Sequence, residues 1–436
     1  MEIYNLVSFA GIFVLAGIAW LCSSNKRVIN WRVILWGIGL QLFFAVFIFW
    51  IPVGAKVFLF VNKIVLVVLD SATAGTKFLF GRLALAPGET TPDGETSLGY
   101  ILAFQALPTI IFFAALVGAL YYLKIMPLII RGFAYVFTKL MRISGAESLC
   151  ASSNIFVGVE SALVIRPHLK EMTRSELVTI LSASMGTIAS TVLALYVLFL
   201  NEQLPTIAGH LISASFLSAP AAVIMAKLVV PETETPKTLG IHIKPHYERE
   251  DNLIMAIING ATSGLKYLGG IIALLIAFLG ILALLDIVLG WLGGYLNSWL
   301  GWNLEWGFGS ILGYISYPVT IVLGVPPSDA LEIAGLIGER TVATEVVSYQ
   351  HLSELLAEGA LQHPRSAIIA SYALCGFAHI ASLAIFVGGI GALVPARLKD
   401  LSRLGFRALL AATLACLQTG AVAGAFFSKG SILLGG

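Results

Sequence analysis

Two glutamates carry the clearest chemistry in this chain. Glu160 lies in Asn154-Ile155-Phe156-Val157-Gly158-Val159-Glu160-Ser161-Ala162. Glu345 lies in Gly338-Glu339-Arg340-Thr341-Val342-Ala343-Thr344-Glu345-Val346-Val347-Ser348-Tyr349. Each sits in a short, broken apolar segment, followed by a polar turn and a long apolar span rich in small hydroxyl residues. An ionised carboxylate at membrane depth is expensive unless it faces a cavity or a partner, so an intramembrane acid marks a functional site by default. One such acid in each half points to a site shared between repeats. The competing chemistry for two acids is general acid–base catalysis. No nucleophile or metal set accompanies them, and the H-E-x-x-H, G-x-S-x-G and phosphate-loop patterns are absent. The pair is therefore read as a carrier's binding groups, and the chain as a non-enzyme.

The elements that position these acids are membrane spans. Of 436 residues 58% are apolar and 11% charged, and the mean hydropathy is +0.92. A soluble domain carries about a quarter charged residues. Several stretches reach the ~20 apolar residues needed to cross a bilayer core. The net charge of +2 and the lack of a basic stripe with interleaved aromatics give nucleic-acid binding no support. Residues 1–4 lack a positive n-region, so residues 5–22 are read as a retained first span. Cys22, Cys150, Cys375 and Cys416 show no C-x-x-C spacing and are read as buried, inert side chains.

Residues 1–98 are expected to form N-terminal scaffold spans near 5–22 and 31–54. A 57–69 segment follows, interrupted by Asn62 and Lys63 and read as interfacial, and then an acidic Pro/Gly-rich loop at 84–98. Residues 99–230 hold a span at 99–123 and a basic amphipathic helix at 124–142 that fits an interface. The first broken unit (144–170) and segments near 174–200 and 207–229 complete that region. Residues 231–254 form a polar linker. Residues 255–325 supply further scaffold: a span near 255–290, a Trp/Gly-rich piece at 291–307 and a span near 308–325. Residues 326–436 contain the second broken unit (328–356) and spans at 366–394 and 406–430. The order of broken unit, span, span thus occurs twice. Each broken unit reads as a helical hairpin dipping into the membrane, where irregular backbone is tolerated only against protein or a cavity. The fold expected is an all-α polytopic membrane protein, with about eight transmembrane helices, two re-entrant hairpins in an inverted repeat and an interfacial helix. Lys26, Arg27 and Arg32, together with Arg397, Lys399, Arg403 and Arg407, place their loops in the cytoplasm and the N-terminus outside.

The same residues carry a family likeness. Asn154-Ile155-Phe156-Val157-Gly158 with Glu160 and then Arg166-Pro167 resembles the first hairpin of concentrative nucleoside transporters, where the pattern runs N-I-F-V-G-Q-T-E-A-P-L. The likeness continues through Gly186-Thr187-Ile188-Ala189-Ser190-Thr191-Val192-Leu193-Ala194, Ile311-Leu312-Gly313-Tyr314 and Gly324-Val325-Pro326. It extends to Glu345 with Tyr349, Leu374-Cys375-Gly376-Phe377-Ala378, Ile380-Ala381-Ser382 and Gly405-Phe406-Arg407-Ala408-Leu409. The resemblance covers most of the chain in the family's order.

It implies a homotrimer in a bacterial cell membrane, each protomer with a scaffold and a transport domain of two hairpins and two partly unwound helices. It implies sodium ligands at Asn154 (side-chain oxygen), Val157 (carbonyl), Thr187 and Ile188 (carbonyl), a hard-cation set of oxygens. The bland alternative for Thr187 is a hydroxyl bonded back to its own helix. It implies solute contacts at Glu160, Val192, Glu345, Phe377 and Ser382, with Glu345 accepting from ribose hydroxyls and Phe377 packing on a planar base. Three positions depart from the pattern. Val159 alone stands where the family has Gln-Thr, Thr344 replaces an Asn, and His379 replaces another. Val159 and His379 therefore join the expected solute site. The resulting expectation is sodium-coupled import of a nucleoside or related ribosylated solute. The alternative is proton coupling through Glu160 or His379, whose charge changes between pH 5 and 8. Glu147 is expected to pair with a basic neighbour, Arg166, Pro167 and His168 to cap the hairpin at the membrane surface, and Glu339-Arg340 to form a local ion pair.

Overall fold

The computed structural model describes residues 3–86, 88–90, 94–246 and 250–428; the side chains of Val159 and Glu160 lie outside the description. The described residues form helices, with β-structure limited to isolated bridges at Thr90–Thr96 and Ser144–Leu239.

Three long apolar helices come first: α1 (Ile3–Leu21), α2 (Trp31–Ala45, continued by a π-helical turn Val46–Trp50) and α3 (Pro52–Phe80). The short α4 (Leu102–Gln105) leads into α5 (Thr109–Tyr122) and the amphipathic α6 (Ile125–Met141). The first hairpin pairs α7 (Gly145–Ser153) with a 3-10 arm (Val159–Glu171). A helix broken after Gly186 follows, α8 (Arg174–Gly186) and α9 (Ser190–Leu200), then α10 (Ile207–Val229). Next come α11 (Leu253–Leu300) and α12 (Phe308–Val322). The second hairpin pairs α13 (Pro327–Val342) with α14 (Glu345–Ala357). A second broken helix, α15 (Pro364–Ala373) and α16 (Ile380–Leu393), precedes α17 (Leu398–Phe426). Hairpin, broken helix and long helix therefore recur in order, and α10 and α17 pack against each other at the centre. Among the described residues eight helices or helix pairs are long and apolar enough to cross a membrane.

Two sequence boundaries need correction. The 57–69 segment is part of a continuous 29-residue helix, long enough to cross. Asn62, which seemed to interrupt it, is buried. Its amide donates to Pro205 O (3.1 Å) and accepts from Gly209 N (3.0 Å), so its polarity is satisfied sideways. The Trp/Gly piece at 291–307 is helical to Leu300 and prolongs α11 to 48 residues, about 72 Å at 1.5 Å per residue. Its flank exposes Ile276, Leu284, Ile287 and Trp299. A third correction concerns the cysteines: all four are free, but Cys22 is exposed while the other three are buried.

Local sequence sets the starts of the first hairpin and the first broken helix. Ser144 and Glu147 form a capping box on α7, and Thr173 and Glu176 form another on α8. Lys227, near the end of α10, joins these starts: its Nζ lies 2.6 Å from Glu147 Oε1 and 3.1 Å from Glu232 Oε2, and donates to Ser175 Oγ at 3.0 Å. The pairing expected of Glu147 is thus present. Removing one member of a buried pair costs about 3–5 kcal/mol because the other charge is stranded. The Lys227→Met protein should therefore show a lowered thermal midpoint. Adding Glu147→Gln should recover part of that loss; an unchanged midpoint in the single variant would remove the cluster from the stability account.

In the second half Asp329, at the base of α13, accepts from Gln362 N (3.1 Å), His363 N (3.0 Å) and Ser366 Oγ (2.6 Å), holding the start of α15. Arg365 is buried and donates to Gly324 O, Asn5 Oδ1, Tyr4 O, Ser8 Oγ and Gly424 O at 2.6–2.8 Å. It fastens α1 to both ends of the second repeat.

Candidate functional site

The two helix breaks meet. Thr187 and Ala189 are extended (φ −126° and −72°, ψ 163° and 134°), so the chain leaves α8 and re-enters a helix at Ser190. In the second broken helix Gly376 has φ +149°, a conformation open to glycine. A Cβ there would lie 2.6 Å from Cys416 Sγ and 3.0 Å from Met185 O and from Gly186 C. Only glycine lets one break reach the other.

On the first-repeat side Asn154 caps the end of α7 and is fully buried. Its Nδ2 donates to Cys150 O (3.0 Å) and Ser184 Oγ (3.3 Å), while Oδ1 has no hydrogen-bond partner. A buried acceptor left open beside an unwound turn is the arrangement a hard cation completes. Val157, Thr187 and Ile188 are buried as well. The Thr187 hydroxyl donates to Ala183 O (3.0 Å), as in the bland reading, and this leaves its oxygen lone pairs available. Hairpin and break are joined by Ser190, whose Oγ and N donate to Phe156 O at 2.5 and 3.2 Å.

On the second-repeat side Glu345 is the first residue of α14, 3% exposed, at the positive end of the helix dipole. Tyr196 Oη donates to its Oε1 (2.7 Å), and His379 Nε2 lies 2.9 Å from Oε2 without an aligned hydrogen bond. His379 caps α16: its Nδ1 accepts from Ser382 N at 3.2 Å. That bond spends the Nδ1 lone pair, so the neutral ring carries its proton on Nε2, facing the carboxylate. Ser382 Oγ rests against the carbonyls of Phe377 and His379. Phe377 is half-buried and tilts onto Phe386, and Val192 is buried on α9.

The expected solute residues Glu345, His379, Ser382 and Phe377 thus form one cluster; Asn154 is tied to α8 at Ser184, and Phe156, next to Val157, to Ser190 just past the break that contains Thr187 and Ile188. Val159 and Glu160 start the 3-10 arm; their side chains lie outside the described residues. Hairpin 1 borders a cavity of about 360 Å³, lined by Val157, Gly158, Arg166, Tyr121, Asn259 and Tyr267 among others. Glu345 and His379 do not line it among the described residues, so the acid is shut away on the second hairpin's side.

Three residues were missed or misread from sequence. Tyr196, fully buried, holds Glu345 and stacks on Tyr349 (4.5 Å, 24°), whose own hydroxyl donates to Ser371 O (2.6 Å). A single tyrosine within Ala194-Leu195-Tyr196-Val197-Leu198 was the available signal. Glu339 and Arg340 are not a pair: Glu339 Oε2 meets His351 Nδ1 at 2.9 Å, while Arg340 turns inward. Adjacent helix residues do not share a face. With a net hydrogen-bond value of about 1 kcal/mol, Tyr196→Phe should raise the solute half-saturation constant roughly fivefold. Its sodium dependence and folding should stay as they are, and unchanged uptake kinetics would make Tyr196 a packing residue only.

The comparisons place this geometry. Residues 210–424 match the family model "Na+ dependent nucleoside transporter C-terminus", residues 10–83 its N-terminal counterpart, and residues 103–203 the model "Nucleoside recognition". The nucleoside permease NupC of Helicobacter pylori is 36% identical over 428 residues, covering 97% of this chain and 98% of that protein. Mouse (Mus musculus) Solute carrier family 28 member 3 is 37% identical across 96% of this chain, which spans only 58% of that longer relative. Among solved structures, CNTnw in an inward-facing substrate-bound state superposes with TM-score 0.86 at 32% identity, and an outward-facing variant with 0.86 at 33%, each over 98% of both chains. The family matches and the fold together define a polytopic helical membrane transporter. The chain belongs to the concentrative nucleoside transporter family.

Proposed function

We propose that the protein imports nucleosides, or a closely related ribosylated solute, by sodium-coupled alternating access. The observation that carries this reading is the open Oδ1 of buried Asn154, beside a helix break that abuts the break carrying His379, whose Nε2 faces Glu345 of the second hairpin. Sodium would be held by Asn154 Oδ1, the Val157 and Ile188 carbonyls and Thr187. The solute's ribose hydroxyls would donate to Glu345 Oε2, with Ser382, Phe377, Val192 and the Val159–Glu160 tip completing the pocket. An apolar Val159 in a tip one residue shorter than the family's removes polar groups that would read a base, so selectivity at the base end relaxes. Sodium is favoured over a proton as the coupling ion by the open Asn154 Oδ1 beside the break, an acceptor that a hard cation completes.

In this account the re-entrant hairpins and broken helices move as a unit past α5 and α11. The exposed apolar flank of α11 would face lipid and partner protomers in a homotrimer. The basic loops put the N-terminus outside, in a bacterial cell membrane. Uptake into proteoliposomes at fixed pH tests the reading: replacing external sodium by choline should abolish accumulation, and uptake indifferent to that exchange would sink sodium coupling.

A further inference from the structure

The helix α6 has two faces of opposite character. Its inner face buries Met126, Ile130, Ala134, Phe137 and Met141. Its outer face sets Leu128, Arg131, Tyr135, Lys139 and Arg142 in one stripe at spacings of three and four, all of them exposed. Both ends of α6 lie at one membrane face. Arg32, at the start of α2, donates from Nε to Leu140 O (3.1 Å) and from Nη2 to Lys139 O (3.2 Å). At the other end α5 delivers the chain to Lys124 beside the start of α11, where a Cβ on Gly118 would lie 2.6 Å from Ala256 O. Ser24 N donates to Val229 O (2.9 Å), so the loop between α1 and α2 meets the end of α10 at this face too. The linker from α10 to α11 joins these points, and α6 therefore lies along the face without crossing.

That face carries one sign of charge. Residues 22–32 hold three cations and residues 124–142 hold four, with no aspartate or glutamate in either segment. None of these cations forms an ion pair among the described residues. Linker acids nearby turn elsewhere, Glu232 to Lys227 and Glu250 to Asn259 Nδ2 (2.9 Å). Two of the cations are also held in place. The two carbonyls fix the Arg32 guanidinium and leave its Nη1 without a protein partner, a planar fork that suits phosphate oxygens. Lys139 Nζ donates to Tyr135 Oη (3.3 Å), and Tyr135 stacks on His242 of the linker (4.7 Å, 24°). Beside them stand exposed apolar groups, Trp31 and Leu128, at 62% and 72% exposure. The positive-inside preference accounts for the sign of these loops. It does not account for cations fixed next to exposed apolar side chains, a combination that fits a lipid's phosphodiester and its first methylenes.

We infer that the outer face of α6, together with Trp31 and Arg32, is a docking surface for an anionic phospholipid. The phosphodiester sits among Arg32, Lys139 and Arg142, and the acyl chains lie against Trp31 and Leu128. Because α6 packs against α7, the lipid steadies the base of the first hairpin.

Thermal midpoints of the purified full-length protein in phosphatidylcholine nanodiscs, with increasing phosphatidylglycerol, test this, and inorganic phosphate serves as the free-anion arm. Phosphatidylglycerol should raise the midpoint in a saturable way, and added choline chloride should weaken the effect by screening. Replacing Arg32, Lys139 and Arg142 together by Gln should lower the apparent affinity for phosphatidylglycerol about a hundredfold, whereas Lys139→Arg should keep it. Cations that only orient the chain during insertion would leave the folded protein's lipid affinity unchanged in the triple variant, and that result would overturn the inference. No difference between phosphatidylglycerol and phosphatidylcholine would overturn it as well. An equal response to inorganic phosphate would replace the lipid by a free anion. Should the triple variant not fold, the wild-type comparison of the two lipids and its salt dependence still decide. Solute uptake plays no part in these measurements, so a failure of the sodium-coupled reading leaves them standing.

Discussion

Uptake by the Glu345→Gln protein should fall at least about a hundredfold, equivalent to about 3 kcal/mol, because hydrogen bonds to a buried charged acceptor are each worth about 1.5–3 kcal/mol. Glutamine is nearly isosteric, so packing around α14 is preserved. The carboxylate, however, is flanked by two donors, Tyr196 Oη and the Nε2 side of His379. A glutamine has one acceptor oxygen, and its amide NH2 must face one of those donors. The solute then loses the charged acceptor and meets a reorganised site. Binding residues of this kind act on uptake and not on folding, so the purified variant should keep its thermal midpoint. Wild-type uptake in Glu345→Gln would remove the acid from the solute site.

The second large effect falls on the cation. Asn154→Ala should raise the sodium concentration for half-maximal uptake by about tenfold or more, since losing one good oxygen ligand costs on the order of 1.4 kcal/mol or greater. Ser184→Ala serves as the control: it removes a partner of Nδ2 (3.3 Å) and leaves Oδ1 in place. Sodium bound to the folded state also stabilises it by mass action. Replacing choline by sodium should therefore raise the thermal midpoint of the wild type and of Ser184→Ala, and raise that of Asn154→Ala by less. Equal sodium dependence in the two variants would mean that Asn154 only packs.

Much of this architecture is legible in the sequence because its signals are local. Ser144-Gly145-Ala146-Glu147 and Thr173-Arg174-Ser175-Glu176 write out their capping boxes, and Gly186-Thr187 and Gly376 mark the breaks. The acids stand out because so few charges occur in the spans. What was not legible depends on partners far along the chain. Asn62 looks like an interruption until Pro205 and Gly209 satisfy it. Arg340 looks like the partner of Glu339 until the helix turns it toward Ala373. Tyr196 is unremarkable as a residue and acquires its role only when Glu345, 149 positions later, arrives at its hydroxyl. His379 was visible as a departure from the family pattern, but its tautomer follows from a cap bond that spacing does not announce.

The central claim, that a sodium gradient drives nucleoside accumulation through the Asn154 and Glu345 clusters, is tested most directly in proteoliposomes. Labelled uridine, adenosine and thymidine would be followed under an inward sodium gradient at constant pH. At least one should accumulate above its equilibrium level, and the excess should collapse when the gradient is dissipated. If none accumulates, or if the accumulation persists without sodium, the account is contradicted.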